Sequence, residues 1–300
     1  MIYTVTLNPA LDYVMLLDSF TYEDVNRAKD AIVLCGGKGI NVSSVLAQLG
    51  VLSKALGFIG GFSGEELERL AQNEGIDCDF TRIKGGNTRI NVKVKADHEF
   101  DVNAAGPCVS ESEVMELLSK TESLQEGDYL VLSGSVPKGL PEDIYEQMMK
   151  RTQNKKVECV VDTTGEYLLN VLPYHPFLIK PNHYELGELF GVTVKEESEI
   201  VHYARKLQNM GARNVLISRG KDGAILLDET GEVHKIGAAE GKLISSCGCG
   251  DSMVAGFLAG YLQTKDYAFA LKLGAACGSA TAFSAGLAKR AEIEEVLKRL

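Results

Sequence analysis

A surplus of positive charge is what this chain most plainly lacks. Its 31 lysines and arginines face 41 aspartates and glutamates, a net charge of −10, and its pI is near 5.1. A broad nucleic-acid or anionic-membrane surface is thereby disfavoured, and a phosphate ligand must meet locally placed cations instead. Long apolar runs are missing too. No stretch approaches the length of a membrane span, and the N-terminus MIYTVTLNPALD lacks the basic start and apolar run of a signal peptide. A cytoplasmic location is expected. No internal repeat, low-complexity tract or linker interrupts the chain, so residues 1–300 are expected to form one domain. Histidines are few and scattered, five in all. The seven cysteines, at 35, 78, 108, 159, 247, 249 and 277, are an odd number spread through a long chain, which argues for reduced thiols. Zinc wants four ligands, and no second Cys/His pair accompanies Cys247-x-Cys249.

Complete phosphate-binding fingerprints are absent as well. Gly36-Gly37-Lys38-Gly39 has no Ser or Thr after the lysine where a Walker A loop requires one, and neither glycine-rich loop of the chain completes G-x-G-x-x-G.

What is present is a regular alternation. Strands are expected over 2–7, 54–59, 79–83, 128–133, 157–161, 177–179 and 214–218, with helices over 42–49, 64–74, 110–121, 141–152, 164–171, 183–189 and 197–209. A hairpin over 223–227 and 232–236 and helices over 252–263, 267–285 and 291–299 complete the chain. Such βα alternation implies an α/β fold around a mostly parallel sheet. Strand candidates at 12–17, 29–34, 88–95 and 99–103 carry charges at alternate positions and read as a separate half-exposed sheet, a discontinuous lid from about 12–34 and 87–104.

Two junctions stand out. Ser245-Ser246-Cys247-Gly248-Cys249-Gly250-Asp251 runs into an apolar helix, and Cys35-Gly36-Gly37-Lys38-Gly39-Ile40-Asn41 runs into another. Glycines let backbone amides approach an anion, and the dipole of the following helix favours negative charge. A carboxylate in such a place repels a phosphate. Asp251 is therefore either a helix N-cap or a group with a chemical task, and the loop alone leaves the two readings level.

Thr6-Leu-Asn-Pro-Ala-Leu-Asp12, Gly36-Gly-Lys-Gly-Ile-Asn41, Thr88-Arg-Ile-Asn91, Ser133-Gly-Ser135, Lys180-Pro-Asn-His-Tyr-Glu185 and Gly248-x-Gly-Asp-Ser-Met-Val-Ala-Gly-Phe257 occur together and in order. In this the chain resembles the phosphofructokinase B family of the ribokinase-like superfamily, nearly end to end. The resemblance implies a three-layer α/β/α sandwich with a mostly parallel central sheet and a small β-sheet lid. It further implies an enzyme that uses ATP and Mg²⁺ to phosphorylate fructose 1-phosphate to fructose 1,6-bisphosphate.

By the same resemblance Asp251 is the base, kept ionised by its helix N-terminus, and the amides of Gly248, Cys249 and Gly250 form the anion hole. Asp12 and Asn41 would bind sugar hydroxyls; otherwise Asp12 is a turn former and Asn41 a helix cap. Lys38 and Arg89 would take the substrate's existing phosphate, a use of point charge and bidentate fork, with Gly37, Asn103 and Ser135 as further acceptor contacts. Solvated charges are the plain alternative for both cations. Lys180, Asn182, Ser218, Gly220, Gly223 and Gly250 match the nucleotide side, and Glu185 the magnesium-linked position, acting through water.

Cys249 stands where alanine is usual in the family, and because the position contributes its backbone amide, activity is expected to survive. Paired thiols beside Asp251 make oxidation sensitivity an expectation. Tagatose-6-phosphate kinase shares the motifs and is the nearest rival. A non-catalytic sensor of sugar phosphates has no need of a proton acceptor. The half-exposed lid implies a homodimer formed lid to lid.

Overall fold

The computed structural model describes residues 1–137 and 139–300. Short segments such as Ile2–Thr6 and Tyr129–Ser133 are almost wholly buried, as strands covered on both faces by helices must be. In the first half of the chain the strands are β1 (Ile2–Thr6), β2 (Ala10–Leu16), β3 (Asp30–Gly36), β4 (Ser53–Gly60), β5 (Asp77–Cys78), β6 (Thr81–Ile83), β7 (Arg89–Lys95) and β8 (Glu99–Val102). The second half adds β9 (Tyr129–Ser133), β10 (Glu158–Asp162), β11 (Leu178–Ile179), β12 (Asn214–Ser218), β13 (Ala224–Leu227) and β14 (Val233–Ile236). The helices are α1 (Lys38–Gln48), α2 (Gly61–Asn73), α3 (Glu111–Glu122), α4 (Ile144–Thr152) and α5 (Gly165–Val171). They continue with α6 (His183–Phe190), α7 (Glu197–Asn209), α8 (Cys249–Thr264), α9 (Tyr267–Ala282) and α10 (Arg290–Leu297).

Ten strands form the larger sheet, in the order β14-β13-β12-β11-β10-β9-β1-β4-β5, with β6 beside β4. Pairing is parallel from β12 to β5 and antiparallel only at the β12-β13-β14 margin. The expected strand at 79–83 is two short pieces, since the chain leaves the sheet at Asp79 and returns at Thr81 to pair with the end of β4. One face is covered by α3 to α7 through residues such as Leu117, Ile144, Met148, Leu186 and Leu207, all fully buried. The other is covered by α1, α8, α9 and α10 through Val45, Leu46, Val254, Phe257 and Ile293. No helix among the described residues is long and apolar enough to cross a membrane.

Four strands form a second sheet in the order β3-β2-β7-β8. The expected antiparallel pair around Asp97-His98 is β7 with β8, closing at Lys95 opposite Glu99. Its link to the larger sheet is short. Only Leu7, Asn8 and Pro9 separate β1 from β2.

The helices α8 and α9 cross closely. A Cβ on Gly256 would lie 2.6 Å from the Leu273 carbonyl oxygen, and one on Gly274 2.9 Å from that of Met253. Burial of Met253, Val254, Phe257 and Leu258, at roughly 1.5–3 kcal/mol for each large side chain, anchors α8 firmly enough to hold a carboxylate in its first turn.

Candidate active site

The parallel strands of the larger sheet end on one edge, where α1, α6 and α8 begin, the usual place for a ligand in an open α/β sheet. A cleft of about 500 Å³ opens over that edge. Asp12, Gly37, Lys38, Asn41, Arg89, Ser135, Lys180, Asn182, Glu185, Ser218, Gly248, Gly250 and Asp251 all line it.

Four of the expected residues do not line the cleft. Asn103 is exposed just beyond β8, and Cys249 is half-buried as the first residue of α8. Gly220 opens a 3₁₀ turn. At Gly223, with φ +82°, a Cβ would lie 2.0 Å from the Ile236 carbonyl oxygen, so this glycine serves the crossing of the hairpin backbone.

Both helices that follow the glycine-rich loops start earlier than their apolar periodicity indicates. The N-cap of α1 is Gly37, at φ 135°, and that of α8 is Gly248, at φ 77°. Asn41 is therefore no cap but lies one turn inside α1, and Asp251 lies in the first turn of α8. The Asn41 Nδ2 donates to Asp251 Oδ2 at 2.8 Å, across two helix N-termini 210 residues apart in the chain.

Asp251 is 5% exposed. The helix N-terminus, expected to keep this carboxyl ionised, is opposed by burial, which with Asp162 pushes it up to about 6, while the Asn41 bond, Lys38 and Lys180 pull partly the other way. Desolvation of a charge outweighs a half-charge at a helix end. The same burial pushes the Cys249 thiol up to about 11, whereas Cys247 is exposed at the cleft lip.

Asp162 ends β10 and was not anticipated. It is 3% exposed, with Lys180 Nζ at 3.2 Å from Oδ1 and Lys38 Nζ at 3.5 Å from Oδ2. Neither lysine is the freely solvated charge that is the plain reading of a strand or loop end. Burial alone would lower the Lys38 ammonium, but Asp162, Asp251 and Glu185 hold it above its ordinary value. The available signal was an acid at the carboxyl end of a parallel strand, where ligands of such sheets gather.

Asp12 and Arg89, both expected on the acceptor side, come from the second sheet. Asp12 lies within β2 rather than in a turn; its Oδ1 accepts from Asn91 Nδ2 at 2.9 Å and its Oδ2 lies 3.1 Å from Lys93 Nζ. Asn91 and Lys93 were missed because, on β7, they look like the polar positions of a half-exposed strand. The Arg89 guanidinium donates to the carbonyls of Asn8, through Nε and Nη2 at 3.1 and 2.9 Å, and of Ala104 at 3.2 Å, so it too is fixed rather than solvated.

On the opposite side Asn182 and Glu185 form a capping box at the start of α6. The Asn182 side chain accepts from the amides of Tyr184 and Glu185, and Glu185 Oε2 accepts from the Asn182 amide at 2.7 Å. One Glu185 oxygen is thus engaged in holding the turn while the residue faces the cleft. Asp162 and Glu185 both line the cleft, and a hard cation takes oxygen ligands.

The model of the pfkB family of carbohydrate kinases matches residues 5–294. The chain is 43% identical over 297 residues to the 1-phosphofructokinase of Bacillus subtilis, covering 99% of this chain and 97% of that one. It is 38% identical over 301 residues to the D-tagatose-1-phosphate kinase of Bacillus licheniformis, covering 100% and 98%. The crystal structure of phosphofructokinase-2 from Escherichia coli in complex with substrates and products superposes with a TM-score of 0.94 at 28% identity, over 99% and 98% of the two chains. With its motifs gathered in one cleft and its length matched from end to end, the chain belongs to the pfkB family of carbohydrate kinases.

Proposed function

We propose that the chain transfers the γ-phosphoryl group of ATP to the 6-hydroxyl of fructose 1-phosphate, giving fructose 1,6-bisphosphate and ADP. Its likeness to the Bacillus subtilis 1-phosphofructokinase supports the substrate, and the buried pair of Asp251 and Asn41 facing two lysines supports the reaction. Phosphoryl transfer asks for positioning, charge neutralisation and a late proton acceptor. Asp251 takes the hydroxyl proton as the O6–P bond forms and the bond from phosphorus to the ADP oxygen breaks. The first-turn amides of α8, from Gly248 to Gly250, face the phosphoryl oxygens.

Lys38, whose nearest anions are Asp162, Asp251 and Glu185, suits the phosphoryl group in transfer better than the acceptor's own phosphate. Arg89, close enough to Asp12 to feel its charge, and Lys93 suit the latter, with Asp12 and the Gly37 backbone on the sugar. Lys180, Asn182 and Ser218 serve the nucleotide. Mg²⁺ fits the oxygen donors at Asp162 and Glu185, the latter through water, and when bound it neutralises phosphate charge. Seven free thiols fit a reducing cytoplasm. A homodimer through the second sheet completes the reading.

The rival acceptor is tagatose 1-phosphate, named by the Bacillus licheniformis relative, and it replaces tagatose 6-phosphate. Both ketose 1-phosphates leave the 6-hydroxyl free and differ in configuration at C4. ADP release with Mg-ATP, measured against fructose 1-phosphate, tagatose 1-phosphate and fructose 6-phosphate, decides between them. The expected result is the highest kcat/KM with fructose 1-phosphate; a preference for either of the others overturns the assignment.

A further inference from the structure

Ser133 ends β9 on the floor of the cleft and is 1% exposed. Its hydroxyl oxygen has no hydrogen-bond partner among the described residues, a condition found otherwise only at Thr81 in β6, away from the cleft. Buried hydroxyls are nearly always paired, because leaving one unmet forfeits its interaction with water.

The register shows what surrounds it. Ser133 pairs with Thr6 of β1 on one side and with Asp162 of β10 on the other. Residues paired in register project from the same face of a sheet. Both neighbours are already engaged. The Thr6 hydroxyl accepts from the Ile40 amide at 3.1 Å, and the Asp162 carboxylate takes the ammonium groups of Lys38 and Lys180. Ammonium groups only donate, so they offer the Ser133 proton no acceptor. No acceptor of the described residues lies within hydrogen-bond distance of the Ser133 hydroxyl, and the cleft, where two cations and the first turn of α8 favour an anion, is open to supply one.

We propose that the Ser133 hydroxyl donates a hydrogen bond to an oxygen of the phosphoryl group under transfer. The inference rests on the kinase reading given above. It makes Ser133 a binding residue for the terminal phosphoryl rather than for the nucleoside or the sugar ring, and it gives the first serine of Ser133-Gly-Ser135 a task distinct from that of the second.

Calorimetric binding of the magnesium complexes of β,γ-methylene-ATP and of ADP, together with ligand-free melting, tests it on wild type, Ser133→Ala, Ser133→Cys and Thr81→Val. Ser133→Ala is expected to melt at or above wild type without ligand, because no protein partner is stranded. It should lose about tenfold or more in affinity for the triphosphate analogue, as expected for a hydrogen bond to a charged group. Its ADP affinity should stay within about twofold. Ser133→Cys, which keeps the shape with a weak donor, should behave alike, and Thr81→Val should alter neither affinity. Equal loss for both nucleotides, no loss for either, or a lowered ligand-free melting temperature in both Ser133 variants overturns the proposal. A wild-type protein that binds no nucleotide and transfers no phosphoryl group sinks the kinase reading itself; a competent wild type matched by Ser133→Ala sinks this inference alone.

Discussion

Burying Asp251 has a cost that its proposed role as a base requires. Its carboxyl stands at about 6 in the folded protein, against about 3.9 in an unfolded chain. Between those values the folded state binds more protons, so stability is greatest below the unfolded pKa and is lost as pH rises through the folded one. Above about pH 6 the ionised carboxylate burdens the fold, and only there can it accept a proton. Asp251→Asn is accordingly expected to lower kcat at least about a hundredfold while raising stability at pH 8 by on the order of 1–3 kcal/mol. The gain should fade toward pH 4. Wild-type kcat should fall as pH drops through about 6. Melting curves and rates across pH check both halves, and a variant that is equally destabilised at every pH contradicts the electrostatic account. Asp251 and Asn41 were each legible in the sequence, but their mutual hydrogen bond was not, since nothing local joins positions 210 residues apart.

The helices α1 and α8 show why loop and helix were misjudged at the same kind of place. Apolar periodicity, read from residue 42 for α1 and 252 for α8, sets in after the helix has begun. The hydrogen-bonded turn begins at Lys38 and Cys249. Glycine N-caps at positive φ turn the chain abruptly into the helix, so the residues that look like a small-residue loop are the first turn itself. Their free amides are the proposed anion site. Asp162 escaped notice for the converse reason: a strand end has no periodicity to single it out.

Gly248→Ala must force a side chain into the left-handed region and within 2.6 Å of Leu287 Cδ2. The backbone term alone costs about 1–2 kcal/mol, or roughly 2–8 °C in melting temperature for a chain of this size. It should also lower kcat by at least about tenfold, because the amides lose their aim. Cys249→Ala, which leaves the amide in place, should keep both within about 1 °C and about twofold. If the two variants prove alike in melting and kcat, the first-turn amides are not what the loop provides.

Across the whole molecule, the larger sheet was readable because buried parallel strands alternate regularly with helices. The second sheet was recognised from its alternating charges, and its parallel β2-β7 pairing comes from the tertiary fold. That sheet also carries an apolar row. Val33, Tyr13, Val92 and Val102 follow one another in register across β3, β2, β7 and β8. Three of them, Val33, Tyr13 and Val102, are 36, 39 and 66% exposed. A contiguous apolar surface on a sheet with two open edges invites a partner, and in the proposed homodimer a second copy of the same face would meet it by two-fold symmetry. Because Asp12 and Lys93 are supplied by this sheet, pairing would also hold the acceptor side of the cleft in place. Val33→Glu puts a charge into the row without touching the cleft. Sedimentation at micromolar concentration should give a dimer for wild type and a monomer for Val33→Glu, with the variant's KM for the sugar phosphate raised and its KM for ATP little changed. A wild type that sediments as a monomer, or a variant that remains dimeric, would mean that the row is covered in some other way and that Asp12 and Lys93 are held by their own strand pairing alone.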